Sequence, residues 1–188
     1  MRLRDRPIAR RPVLAAAGTL AAVLVAGKPR AATLDSLAGA LEKIDPPREP
    51  PAFSFTGADG QTHTLAEFKG HGMVVNLWAT WCGPCVAELP SLEAASRALA
   101  PADIAVLPLS SDRGGAAAVR AFFDRHGITG LPILLDPHGA AAEAWKARGI
   151  PTSIIIDRQG RAVARVEGAA DWSSPASIAL IKRLAGAS

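Results

Sequence analysis

The chain has 188 residues, 49% of them hydrophobic, with four tryptophans and two cysteines, which suits one domain with a real core plus a tail. Its formal charge of +4 is uneven. Residues 1–32 carry seven basic side chains (Arg2, Arg4, Arg6, Arg10, Arg11, Lys28, Arg30) against Asp5, a charge of +6 that leaves −2 for the remainder. A domain near neutrality without a basic cluster argues against nucleic acid as a partner, and no internal repeat is visible.

The first segment, "MRLRDRPIARRPVLAAAGTLAAVLVAGKPRAATL", opens basic, runs charge-free from Pro12 to Gly27 and continues into small residues. That is the layout of a secretory signal. The run is short for a membrane-spanning helix, which needs about 20 apolar residues. Cleavage near Ala26 or Ala32 fits the small-x-small rule imperfectly, because Arg30 stands three positions before a cut after Ala32. Two readings of residues 1–32 therefore stand: a cleaved signal peptide, or a retained N-terminal membrane anchor. Arg10-Arg11 offers twin-arginine export as a route. Basic residues stay on the cytoplasmic side, so either reading places the folded part in an oxidising compartment.

Residues 33–45, "TLDSLAGALEKID", read as a short helix with Leu34, Leu37, Leu41 and Ile44 on one face and Thr33 or Asp35 as cap. "PPREPP", residues 46–51, reads as a stiff linker, so residues 33–51 form a helix and linker, and the folded domain spans 52–188. "FSFTGADGQTHTL" is a hairpin turning at Asp59-Gly60. "GMVVNLWA" is a strand buried on both faces. "PCVAELPSLEAASRALA" is a helix, with Val86, Leu89, Leu92 and Leu99 spaced for one face and Pro90 expected to kink it. A strand "IAVLPLSS", a helix "GGAAAVRAFFDRHG" stopped by Gly127, a short strand "LPILLD" and a helix "GAAAEAWKARG" follow. "PTSIIIDRQGRAVARVEG" is a second hairpin turning at Gln159-Gly160. "SSPASIALIKRLAG" is a closing helix capped by Ser173 or Ser174. Alternating strands and helices that end in a hairpin and a helix predict an α/β domain with a central mixed sheet flanked by helices.

Both cysteines stand in "NLWATWCGPC", as Cys82 and Cys85. A disulfide across two residues closes a tiny loop, and such a staple adds little stability. Structural zinc wants four ligands, and His63, His71, His126 and His138 are scattered. No metal is therefore expected. A redox couple suits the context better. Cys82 follows a buried strand and precedes a helix, where orphan N–H groups and the helix dipole favour a thiolate. Pro84 fits the first helical turn, where its missing N–H costs nothing. Cys82 then attacks a partner disulfide and Cys85, one turn on, resolves the mixed disulfide. Trp78 reads as core filler and Trp81 as part of a docking surface. Asp136, Asp157 and Asp171 read as caps or strand ends, and the histidines as surface residues.

An apolar strand, then "WCGPC", then a helix carrying a proline resembles the thioredoxin superfamily. "GIPTSIIID" matches the loop that in this family faces the cysteines with a cis-proline. The resemblance makes that residue Pro151, and backbone groups of Ile150 would pair with a bound substrate strand. Within the superfamily the chain is similar, over residues 48–186, to the TlpA/ResA/CcmG group of exported reductases. The carriers are the N-terminal signal or anchor, the hairpin "GADGQTHTLAEFKG", the Glu of "WCGPCVAELP" and a central insertion before the cis-proline loop. The ending "VEGAADWSSPASIALI" resembles TlpA. The group keeps periplasmic dithiols reduced for cytochrome c maturation or for copper insertion into cytochrome oxidase. Its partners are disulfide-containing assembly factors, and its electrons come from a membrane thiol transporter of the DsbD/CcdA type. No cofactor is implied. The resemblance makes Cys82 and Cys85 the catalytic pair and places Trp81, Gly83, Pro84, Ile150 and Pro151 against the substrate.

Asn76 stands where cytoplasmic thioredoxins carry a buried Asp that handles the proton of the second cysteine. Asn76 cannot ionise. Glu88 lies three residues after Cys85 on the same helix face and is the replacement candidate, a partly buried carboxylate of raised pKa. Three other functions compete. A DsbA-type oxidase or isomerase usually carries histidine before its second cysteine, where this chain has Pro84. A peroxiredoxin-like peroxidase wants Thr or Ser where Ala79 stands. A Sco-like copper chaperone spaces its cysteines by three residues.

Overall fold

The computed structural model describes residues 34–186, so the expected signal or anchor lies outside the described residues. In chain order the elements are β1 (Asp35–Ser36), α1 (Leu37–Ala40), β2 (Leu41–Arg48), β3 (Ser54–Gly57), β4 (Thr62–Thr64) and β5 (Gly72–Trp78). Then come α2 (Gly83–Leu99), β6 (Ile104–Ser110), α3 (Gly115–His126), β7 (Leu134–Leu135) and α4 (Ala140–Ala144). The last are β8 (Thr152–Ile156), β9 (Ala162–Glu167), β10 (Ala170–Asp171) and α5 (Pro175–Ala185).

Eight strands make one mixed sheet in the order β2-β9-β8-β5-β6-β7-β3-β4, and β1 pairs with β10 beside it. β5 is central, parallel to β6 and antiparallel to β8. All its residues are buried, as a continuous apolar run requires when both sheet faces are covered. Period-two alternation divides its side chains. Val74 and Trp78 join Leu89, Leu92, Phe122, Phe123 and Ile181 under α2, α3 and α5. Met73, Val75 and Leu77 join Phe55, Leu65, Trp145 and Ile156 on the other face. Trp78 is 1% exposed and stacks on Phe123 at 5.6 Å, the core role expected of it. Both hairpins turn where expected, with Gly60 and Gly160 each at φ 80°.

The segment 33–51 departs from its reading as helix and linker. Among its described residues only Leu37–Ala40 is helical, and the cap is Ser36, whose side chain accepts from Gly39 N; Thr33 lies outside the described residues. Leu41–Arg48 is an edge strand antiparallel to β9, with Leu41 opposite Val166 and Lys43 opposite Ala164. The 3.6-residue spacing of the leucines is coincidental. Leu41 packs against the core on one face of the sheet and Ile44 against the core on the other, as residues three apart on a strand must. Pro46 and Pro47 fall inside this strand. An edge strand tolerates them, because one side has no ladder to receive N–H groups. Leu37 is fully buried, and its short helix packs against α5, β9 and β10. Leu37→Ala is expected to cost about 2–5 kcal/mol in urea unfolding. A cost below about 0.5 kcal/mol, the surface range, would mean that this segment does not belong to the core.

The helix expected over "GAAAEAWKARG" is five residues long. The Arg165 guanidinium donates to the carbonyls of Trp145 and Lys146, and Lys146 turns to φ 51°, so the backbone leaves the helix there. Asp136 caps this helix by accepting from Ala140 N and Ala141 N. Ser174 caps α5 by accepting from Ser177 N.

Candidate active site

β5 ends at Trp78, and the chain turns once before α2 begins at Gly83. That turn is fastened by Asp112, which is 5% exposed and sits just past β6. Its carboxylate accepts from Thr80 N at 2.9 Å, Thr80 Oγ1 at 2.6 Å and Ser110 Oγ at 2.7 Å. Neither Thr80 nor Asp112 stands out in the sequence; only the parallel pairing of β5 with β6 brings them together.

Cys82 is the N-cap of α2 and is joined to Cys85 by a disulfide. Cys85 N donates to Cys82 Sγ at 3.3 Å. Pro84 lies in the first turn. Cys82 is 6% exposed and Cys85 fully buried, while Gly83 and Pro84 between them are exposed. Attack from outside can therefore reach Cys82 and is closed to Cys85. When the bond is reduced, the free N–H groups and dipole of α2 favour the Cys82 thiolate.

The loop before β8 faces the disulfide. The Ile150–Pro151 peptide is cis, and the Ile150 carbonyl oxygen lies 3.6 Å from Cys82 Sγ. Trp81 is 71% exposed, the one large hydrophobic side chain so exposed among the described residues. Beside it opens a groove of about 550 Å³, walled also by Ser111, Arg113, Pro137 and His138. Another cavity, of about 370 Å³, adjoins Met73 and Lys69 at the opposite end of β5 and has no part in this chemistry.

Glu88 departs from its expected partial burial: it is fully buried. Its Oε1 accepts from Asn76 Nδ2 at 2.8 Å, and its Oε2 from Ala170 N at 3.0 Å and Trp172 Nε1 at 2.9 Å. Burial pushes its carboxyl above the ordinary carboxylate value of 4.5; bonds from Trp172, Ala170 and Asn76 oppose the shift without cancelling it. Trp172 is itself fully buried. Sequence reasoning missed it as a partner of Glu88, because 84 residues separate the two and no local pattern reports such a contact. The histidines, read as surface residues, contribute no metal cluster: among the described residues, no three His, Cys, Asp or Glu side chains are grouped to hold an ion.

A vicinal cysteine pair at a helix start, opposed by a cis-proline loop on this mixed sheet, defines a thiol-disulfide oxidoreductase of thioredoxin-like fold. The Redoxin family model matches residues 48–179, and the chain belongs to that family. It is 28% identical over 127 residues to the thiol-disulfide oxidoreductase ResA of Bacillus thuringiensis subsp. konkukian, covering 68% of this chain and 72% of the relative. It is 35% identical over 115 residues to the thioredoxin-like protein YneN of Bacillus subtilis, covering 60% and 66%. Among solved structures it is similar to the pneumococcal exposed lipoprotein thioredoxin Etrx1 of Streptococcus pneumoniae. The TM-score is 0.56 at 28% identity, over 71% of this chain and 99% of that one. The chain is a thiol-disulfide oxidoreductase, and ResA is among the proteins it is similar to.

Proposed function

We propose that this enzyme is an exported reductase of the TlpA/ResA/CcmG group, TlpA-like in its ending, that keeps partner dithiols reduced on the periplasmic side of the membrane. The partners are disulfide-containing factors of cytochrome c maturation or of copper-site assembly in cytochrome oxidase. A DsbD/CcdA-type transporter restores the electrons. The observation that carries the reading is the unequal exposure of the two cysteines at the start of α2. Export draws support from the pneumococcal relative, described as an exposed lipoprotein.

The Cys82 thiolate attacks one sulfur of the partner disulfide, and the other leaves as a thiolate that takes a proton from solvent. Cys85 gives its proton to Glu88 and attacks Cys82 Sγ. The partner's second sulfur leaves and is protonated in turn. The partner disulfide has then gained two electrons and two protons, and the Cys82–Cys85 bond has formed. Trp81, Gly83 and Pro84 flank the reacting sulfur on one side, Ile150 and Pro151 on the other, and the Ile150 carbonyl beside Cys82 Sγ accepts from a partner backbone N–H.

The reduced enzyme is expected to open the disulfide of an oxidised apocytochrome CxxCH peptide much faster than an equal concentration of glutathione does. A rate no better than glutathione's would count against a cytochrome-directed reductase. Trp81→Ala is expected to leave stability within about 0.5 kcal/mol. The same change should raise KM for a protein disulfide about tenfold, the scale of an exposed aromatic anchor. An unchanged KM would remove Trp81 from the docking surface.

A further inference from the structure

Asn76 holds a buried amide whose two ends are treated unequally. Its Nδ2 donates to Glu88 Oε1 at 2.8 Å and to Ser153 Oγ at 2.9 Å, which uses both hydrogens. Its Oδ1 is buried and has no hydrogen-bond partner among the described residues. A buried acceptor left empty beside an ionisable group costs free energy, so the arrangement asks for a reason.

We propose that the Asn76 amide is a two-position partner that turns over when Glu88 changes protonation, holding the carboxylate in one position and the carboxylic acid in the other. The inference rests on the reading of Glu88 as the proton acceptor for Cys85. Glu88 Oε2 faces two groups that can only donate, Ala170 N and the Trp172 indole N–H. The arriving proton therefore goes to Oε1, which faces Asn76 alone. In the present position that would set an O–H against an N–H, two donors face to face. Turning the amide by half a revolution puts Oδ1 where Nδ2 was. Oδ1 then accepts from the protonated Oε1 and from the Ser153 hydroxyl, which serves as donor or acceptor equally well. Each position leaves one end of the amide without a partner, so the proton on Glu88 decides between them. An aspartate at position 76 would face Glu88 with a second negative charge; asparagine supplies a donor or an acceptor without one.

The surroundings leave Glu88 free to act this way. The groups bonded to it are Asn76 on β5, Ala170 on β10 and Trp172 just past it, with Ser153 of β8 behind Asn76, and Cys85 precedes it by three residues on α2. Among the described residues none of these bonded partners is a charged or titratable side chain.

The test is NMR of the full chain, reduced and labelled with ¹³C and ¹⁵N, from about pH 5 to about pH 9. The readouts are the Glu88 carboxyl ¹³C shift and the cross-peaks from the Asn76 side-chain N–H₂ to Ser153 and Glu88. The expected result is loss of both cross-peaks at low pH with the midpoint of the Glu88 carboxyl. In Glu88→Gln the glutamine N–H₂ takes the place of the protonated oxygen, so the low-pH pattern is expected at every pH. Constant cross-peaks while the Glu88 carboxyl titrates would overturn the two-position amide and leave the proton role of Glu88 standing. A Glu88 carboxyl that does not titrate over this range would overturn both.

Discussion

Cys82→Ser is expected to abolish disulfide reduction, by at least about 10³-fold, the scale of removing a nucleophile. Cys85→Ser is expected to fail differently. Cys82 remains 6% exposed at the helix start, so it still attacks, but no second sulfur lies behind it to release the partner. Mixed disulfides should accumulate on Cys85→Ser and be absent from Cys82→Ser, as seen on non-reducing gels after acid quenching. Neither change should unfold the protein, since the disulfide closes a loop of two intervening residues and contributes little to stability. Equal trapping by both variants would contradict the assignment of Cys82 as the attacking sulfur.

Glu88→Gln is expected to slow turnover about 10²-fold, the lower end of what a positioned acid or base contributes, with the loss in resolution rather than in first attack. Stability should move the other way. The Glu88 pKa is raised in the fold, above the ordinary 4.5, because the carboxyl is buried. Its protonated form therefore stabilises the fold fully below 4.5, and that contribution is lost as pH rises through the raised value. The oxidised wild-type protein should lose stability relative to oxidised Glu88→Gln as pH rises above 4.5 in urea titrations. Parallel stability curves would mean that Glu88 does not change charge in that range. Unchanged exchange rates with a model disulfide would remove it from the reaction.

The central β5, the helix behind the cysteines, both hairpins and the capped last helix were legible because local signals agree there. An apolar run needs two covered faces, Gly60 and Gly160 take the positive φ of a tight turn, and Ser174 precedes Pro175 at the start of α5. The segment 35–48 was not legible. Its leucines fit a helical period, and its prolines read as punctuation, unless the open edge of β9 is known beforehand. The site divides in the same way. Cys82, Cys85 and Pro84 lie within four residues of one another and carry a local logic. Glu88 could be chosen from its place one turn beyond Cys85, but the depth of its burial depends on Trp172 and Ala170 arriving from the far end of the chain. The loop holding Pro151 was read through resemblance, since nothing local places Ile150 against Cys82.

The reduction potential of the Cys82–Cys85 couple, measured on the full chain in a dithiol buffer, decides the direction of electron flow. A reductase should lie at or below about −230 mV, between glutaredoxins and thioredoxin. A value above about −180 mV, toward DsbA at about −120 mV, would contradict a reductase and make this enzyme an oxidase or isomerase with electrons moving the opposite way.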